Sequence, residues 1–172
     1  MNVLPRVLLI DLDDTILRYG VGGEGLWAEV AGRDAIREWV PQRHEFEMLD
    51  GILHFDEKAM VGVAFKEISP ADFWVRGHIP GQPLFPGVLM IESAAQLCCY
   101  VFCRAQEEKR FFAFGGVDEV RFRGTVEPGD RLLLMAKAKK MRSNLGIFET
   151  QGFVDGKLVF EAVITGMVLP DR

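Results

Sequence analysis

The stretch Gly77-His78-Ile79-Pro80-Gly81-Gln82-Pro83-Leu84-Phe85-Pro86-Gly87-Val88, running straight into an apolar segment that ends near Glu107, decides how the rest of the chain reads. Its first part, Arg76–Gly87, carries three prolines and three glycines. Each proline fixes φ and removes an N–H donor, so regular structure is excluded there. His78 is therefore held on a loop of fixed path. Pro86-Gly87 delivers the chain to a helix N-terminus, and Val88–Glu107 is the longest uninterrupted helix candidate in the sequence. Its opening turns are apolar on nearly every face, which predicts a helix enclosed on all sides rather than laid on a surface. The polar residues within those turns are Glu92, Ser93 and Gln96.

Working outward, the pattern after Arg110 turns to strands. Phe111–Arg123, Arg131–Arg142, Gly146–Asp155 and Lys157–Val168 alternate or run apolar. Pro128-Gly129-Asp130 and Ser143-Asn144 separate them as turns, and Asp155-Gly156 is a two-residue hairpin signal. Upstream, Phe46–Asp56 and Ala59–Ile68 read as a hairpin turning around Asp56–Lys58. Asp34–Val40 reads as a short helix with Asp34 as N-cap, and Ser69-Pro70 as the cap and first position of one helical turn through Trp74. One buried helix followed by an antiparallel meander predicts an α+β fold, the sheet wrapped around the helix. In residues 1–33, Arg6–Leu17 opens like a strand and turns acidic, and Gly20–Gly25 is a break. That segment reads as an N-terminal extension or arm ahead of a single domain over 34–172.

A chain of 172 residues, 49% hydrophobic and 26% charged, suits one globular domain with a real core. A net charge of −5 argues against general nucleic-acid binding, which needs a basic surface. Cys98, Cys99 and Cys103 fall in one apolar run and read as buried thiols of a reducing compartment, neither a disulfide framework nor a metal site. The apolar run Val7–Ile10 is cut short by Asp11, too soon for a secretory leader. No membrane span is read, and the expected location is cytoplasmic.

The backbone N–H groups that open a helix lack intrahelical partners, and with the positive end of the helix dipole they can hold a carbonyl oxygen gaining negative charge. Glu92 lies on the second turn of an otherwise apolar helix. An unpaired buried carboxylate is costly, so Glu92 is expected to be hydrogen-bonded, protonated or lining a cavity. A base, a carboxylic acid and an oxyanion site are the parts that remove a proton α to a thioester carbonyl and expel a β-hydroxyl. Taken singly, a loop histidine or a buried glutamate is more often structural. Gln96, one turn on, reads as a partner that orients Glu92.

The run HIPGQPLFPGVLMIESAAQ at residues 78–96 resembles the signature H-F-P-G-x-P-x-x-P-G-V-L-x-x-E-x-x-A-Q of the FabZ/FabA-type β-hydroxyacyl-ACP dehydratases. Ile36–Gly51, with Pro41, Arg43, Phe46 and Asp50, and Gly115–Asp130, with Arg121-Phe122-Arg123 and Val126–Asp130, extend the resemblance to residues 34–169. It implies a hotdog fold, and a homodimer or trimer of dimers with active sites shared between subunits. His78 of one subunit would face Glu92 of another. By the same resemblance His78 takes the Cα proton, Glu92 protonates the leaving hydroxyl and the Gly87 N–H steadies the thioester oxygen. Val88, Ile79, Phe85 and Gln96 would lie along the bound substrate. That substrate would be a (3R)-3-hydroxyacyl chain on the phosphopantetheine of acyl carrier protein, dehydrated to the trans-2-enoyl thioester in fatty-acid-type synthesis without metal or cofactor. Glu rather than Asp at position 92 favours the FabZ branch, which does not isomerise the double bond. The sequence departs from the pattern at Ile79, where the family has Phe, and at Pro41-Gln42-Arg43-His44-Glu45, where it has Pro-His-Arg-Tyr-Pro.

Two other functions share the fold. A hotdog thioesterase would use a carboxylate to activate water, which the proline-rich His loop argues against. A non-catalytic acyl-ACP-binding module would have lost the acid or the base, and both are present. Val7-Leu8-Leu9-Ile10-Asp11-Leu12-Asp13-Asp14-Thr15 also matches the strand-D-x-D-x-T motif of haloacid-dehalogenase-type phosphatases, Asp11 as nucleophile and Asp13 as acid/base around Mg²⁺. That motif requires a parallel sheet, so the segment reads instead as a strand or arm covering a sheet edge or an oligomer interface. Lys137, Lys139, Lys140 and Arg142, with Arg121 and Arg123, are either a dock for an acidic carrier protein or the charged edge of a sheet.

Overall fold

A computed structural model of the chain describes residues 7–10, 16–19 and 29–169. In chain order the elements are β1 (Val7–Ile10), β2 (Ile16–Tyr19), β3 (Ala31–Gly32), α1 (Arg33–Arg37), β4 (Gly51–Asp56), β5 (Val61–Glu67), α2 (Gly87–Ala105), β6 (Phe112–Phe122), β7 (Arg131–Arg142), β8 (Leu145–Val154) and β9 (Lys157–Val168). Strands β3 to β9 form one seven-stranded sheet in the order β3-β4-β5-β7-β8-β9-β6. Every neighbouring pair in it is antiparallel. The sheet wraps α2, which touches β5, β6, β7, β8 and β9. This is the α+β hotdog architecture that the apolar helix and its downstream meander predict.

Enclosure explains the composition of α2. Its buried residues include Met90, Ala94 and every position from Gln96 to Cys103. Close approach is secured by glycine where strand meets helix. A Cβ at Gly62 of β5 would lie 2.5 Å from Val101 Cγ2, inside van der Waals contact. Phe102 stacks on Phe112 of β6 with centroids 4.0 Å apart, and Phe112 meets Phe148 of β8 edge-on. Nineteen residues of this composition are also long and apolar enough to cross a membrane, which corrects the expectation that no segment is. In the fold the helix is instead the buried core.

The second half of the meander follows its turn chemistry. Asp155 and Gly156 both take positive φ, 48° and 74°, as a type I′ hairpin requires. Gly129, in the turn before β7, also has positive φ. The sheet is apolar on both faces over part of its area. Val63, Met135 and Phe153 alternate with core-facing neighbours, and with Leu53, Leu133 and Leu158 they form a second buried cluster.

Three local expectations are corrected. Helix α1 spans Arg33–Arg37 with Gly32 as N-cap, and Asp34 sits in its first turn, paired with Arg37 at 2.6 Å. The helix stops short of Val40 because the residue before Pro41 is sterically turned away from the helical region. Phe46–Asp56 is strand only from Gly51. His44–Phe46 is a 3₁₀ turn with His44 at φ 59°, and the Met48 N–H is taken by a side chain of α2. Pro70–Trp74 makes no helix. Successive i→i+3 bonds from Asp72 to Ser69 and from Val75 to Asp72 give linked turns instead. The Ser69 hydroxyl does accept the Ala71 N–H at 3.1 Å.

The seven-stranded sheet takes in Ala31 and Gly32 of the segment read as an arm, through pairing with Ile52 and Gly51. Strand β1 pairs antiparallel with β2 in a separate two-stranded sheet, so the parallel context of the D-x-D-x-T motif is not formed there. Asp11 and Asp13 themselves lie outside the described residues.

Candidate active site

His78 sits on an exposed loop whose path is fixed from both sides. Its backbone N–H reaches Trp74 O at 2.8 Å, Gly81 takes φ 83°, and Gln82 N–H closes a turn on Ile79 O. Phe85 anchors the far end. It is buried edge-on against Trp74, and its N–H bonds Val126 O at 2.7 Å. The His78 Nδ1 lies 2.8 Å from Leu84 O. A carbonyl oxygen only accepts, so Nδ1 carries the hydrogen and the neutral ring keeps its lone pair on Nε2. The loop thus presents a base through one defined nitrogen.

Helix α2 begins at Gly87 with Pro86 as N-cap, and Pro86 O accepts the N–H groups of Leu89 and Met90. The Gly87 and Val88 N–H groups precede the first intrahelical bonds and belong to the unsatisfied donors of a helix start. A Cβ at Gly87 would meet the Phe122 ring at 2.7 Å, so glycine is what lets this aromatic of β6 close over the helix start. Val88 and Ile79 are exposed, at 69% and 47%, while Phe85 faces the core.

Glu92 is half-buried on the second turn. Its Oε1 accepts the Gln96 Nε2–H at 2.7 Å and the Gln42 Nε2–H at 3.2 Å. Gln96 is buried, and each of its polar atoms is used. Nε2 also donates to Phe46 O at 2.7 Å, and Oε1 accepts the Met48 N–H at 3.0 Å. The orientation of that amide is therefore determined, with one of its N–H groups on Glu92. Gln42 was noticed in the sequence only as a departure from a family pattern. Nothing local marks it as a partner of Glu92, because the contact joins positions 50 apart in the chain.

Among the described residues His78 and Glu92 share no hydrogen bond. The basic residues of the sheet divide between ion pairs and exposed positions. Lys139 pairs with Glu149 at 2.9 Å and Arg123 with Glu161, while Lys140, Arg142 and Arg121 are exposed. The three cysteines are free and buried, and burial pushes the Cys98 thiol up.

A family model described as the FabA-like domain matches residues 40–163. The protein named 3-hydroxyacyl-(acyl-carrier-protein) dehydratase FabZ of Campylobacter jejuni is 38% identical over 139 residues, covering 78% of this chain and 94% of the relative. Its namesake in Escherichia coli is 35% identical over 134 residues, covering 76% and 88%. Among solved structures, a dehydratase heterocomplex from Xenorhabdus doucetiae aligns with a TM-score of 0.68 at 15% identity, over 80% of this chain and 91% of that one. A hypothetical thioesterase with coenzyme A from Streptococcus pneumoniae aligns with a TM-score of 0.54 at 10% identity, over 70% and 86%. At such identities these structures are similar in fold alone.

Proposed function

The chain belongs to the FabA-like family and is a 3-hydroxyacyl-acyl-carrier-protein dehydratase, and from that premise we propose how its residues divide the reaction. The substrate is a (3R)-3-hydroxyacyl thioester on the phosphopantetheine of acyl carrier protein. His78 Nε2 takes the proton from Cα, and the electrons of that bond form the Cα–Cβ double bond. The Cβ–O bond breaks with its pair going to oxygen, Glu92 supplies the proton, and water leaves. The thioester oxygen gains charge as Cα loses its proton, and the Gly87 N–H at the helix start holds it there. The product is the trans-2-enoyl thioester. Afterwards the proton gained by His78 and the one lost by Glu92 are re-equilibrated through solvent.

The observation that carries this reading is the division of labour between loop and helix. One loop holds an imidazole by Nδ1 and leaves Nε2 to face substrate, and one apolar helix holds a carboxyl by a single oxygen. In this reading the working site joins His78 of one subunit to Glu92 of another, in keeping with the absence of a hydrogen bond between them within one chain among the described residues. Strand β6 supports that arrangement. It ends the sheet order, pairs only with β9 among the described strands, and carries exposed Phe114 and Phe122. A second copy extending the sheet there would cover this edge.

The test follows interconversion of crotonyl- and 3-hydroxybutyryl-acyl carrier protein by enoyl-thioester absorbance. Wild type is expected to turn over, with His78→Ala and Glu92→Gln each about 10³-fold slower, the order lost with a general acid or base. Binding without turnover would move the protein to an acyl-binding role. Release of free thiol would make it a thioesterase.

A further inference from the structure

The acid half contains a residue that neither the motif nor its chemistry singles out. Gln42 follows Pro41, and its backbone is pinned by the next residue. Arg43 Nη1 donates to Val40 O and to Gln42 O, both at 2.7 Å, and Arg43 Nη2 donates to Arg37 O at 2.8 Å. From that fixed backbone the side chain reaches Glu92 Oε1 through Nε2. The other end of the same amide is anomalous. Gln42 Oε1 is buried and has no hydrogen-bond partner among the described residues. A buried acceptor left unsatisfied is costly and calls for an explanation. Turning the amide over would only move the fault, setting a carbonyl against Glu92 Oε1 and stranding the NH₂.

Resting on the dehydratase reading, we propose that Gln42 is a positioning residue for the acid. Together with Gln96 it makes Glu92 Oε1 a permanent acceptor, and so confines the transferable proton to Oε2. Oε1 receives two N–H groups from two different elements. An oxygen facing two donors cannot present its own hydrogen toward either, so a carboxylic proton resides on the remaining oxygen. Gln96 alone would fix where the carboxyl lies, because it is locked by Phe46 and Met48. The second donor, from a different direction, resists rotation of the carboxyl about its own axis. The unsatisfied Gln42 carbonyl is the cost of aiming the N–H at Glu92.

The experiment compares kcat, KM and thermal midpoint for Gln42→Leu, Gln42→His and Glu92→Gln, with the double variant Gln42→Leu/Glu92→Gln, on 3-hydroxybutyryl-acyl carrier protein. Leucine is close in volume and removes both the N–H and the stranded carbonyl. Gln42→Leu is expected to lower kcat about tenfold, the effect of one hydrogen bond in the transition state, with KM and the thermal midpoint little changed. Gln42→His, which restores a ring N–H, is expected to regain most of that loss. In the Glu92→Gln background Gln42→Leu is expected to cost nothing more, because no proton remains to be placed. Unchanged kcat in Gln42→Leu overturns the proposal, as does an equal loss in both backgrounds. If Gln42→Leu lowers the thermal midpoint instead, the comparison in Gln42→His decides, since a packing role gains nothing from a ring N–H. Should Glu92→Gln itself keep wild-type activity, it is the reading of Glu92 as the acid that fails, whatever Gln42 does.

Discussion

At the residue scale, Gln42 and Gln96 hold the same oxygen by opposite means. Gln96 has every polar atom engaged and ties α2 to the segment before β4, whereas Gln42 leaves its carbonyl stranded. Leucine should therefore affect the two positions differently. Gln96→Leu strands the Met48 N–H and the Phe46 carbonyl together, and it is expected to cost about 2–4 kcal/mol of stability, one unsatisfied group each. Urea unfolding of Gln96→Leu beside wild type measures it, and an unchanged midpoint would mean that the backbone of 46–48 relaxes to water. Much of the site was legible in the chain because loop, helix start, Glu92 and Gln96 lie within twenty residues and their spacing is itself geometry. Gln42 was not legible. It reaches the site through tertiary folding, and glutamine announces no chemistry of its own. The tautomer of His78 was equally hidden, since it depends on the Leu84 carbonyl, a group every residue carries.

At the scale of elements, the sequence was most readable where turns are short and chemically explicit. The hairpin at Asp155-Gly156 and the turn at Ser143-Asn144 set β7, β8 and β9 within a residue of their expected ends. It was least readable between Asp34 and Trp74, where backbone donors are taken by side chains or by isolated turns that no hydrophobic period records. Arg37 grips Glu47 there through Nε and Nη2 at 2.7 and 2.9 Å, and that guanidinium holds the Glu47 carboxyl below its usual range. Periodicity is equally silent on how close an element may come to its neighbour. Gly62 shows this, because its strand would be well served by a β-branched residue. The approach of Val101 forbids even a methyl. Gly62→Ala is expected to destabilise by about 1–3 kcal/mol, the range for overpacking a filled core, with the loss seen in thermal unfolding. Gly77→Ala is the control, since nothing lies within 4 Å of a Cβ placed there. Equal effects at both sites would mean that backbone entropy, not contact with α2, decides.

At the scale of the whole molecule, the proposed reaction draws its base from a loop and its acid from the central helix. The base is on an exposed loop, and the acid is half-buried on a helix whose later positions, 96–103, are all buried. If the site is assembled from two copies, two inactive variants must be able to repair one another. In a mixed pair of His78→Ala and Glu92→Gln subunits, one of the two shared sites carries both lesions. The other draws an intact His78 from one subunit and an intact Glu92 from its partner. Random pairing of equal amounts makes half of the pairs mixed, each with one good site in two, so co-expression is expected to restore about a quarter of wild-type activity. A site built within one chain gives no recovery at any ratio, because each subunit would keep its own lesion. The same mixing separates assembly from chemistry. Recovery that appears only after joint refolding, and not on mixing folded variants, would mean that the subunits pair tightly and exchange slowly. A permanent continuation of the sheet through β6 would behave in that way.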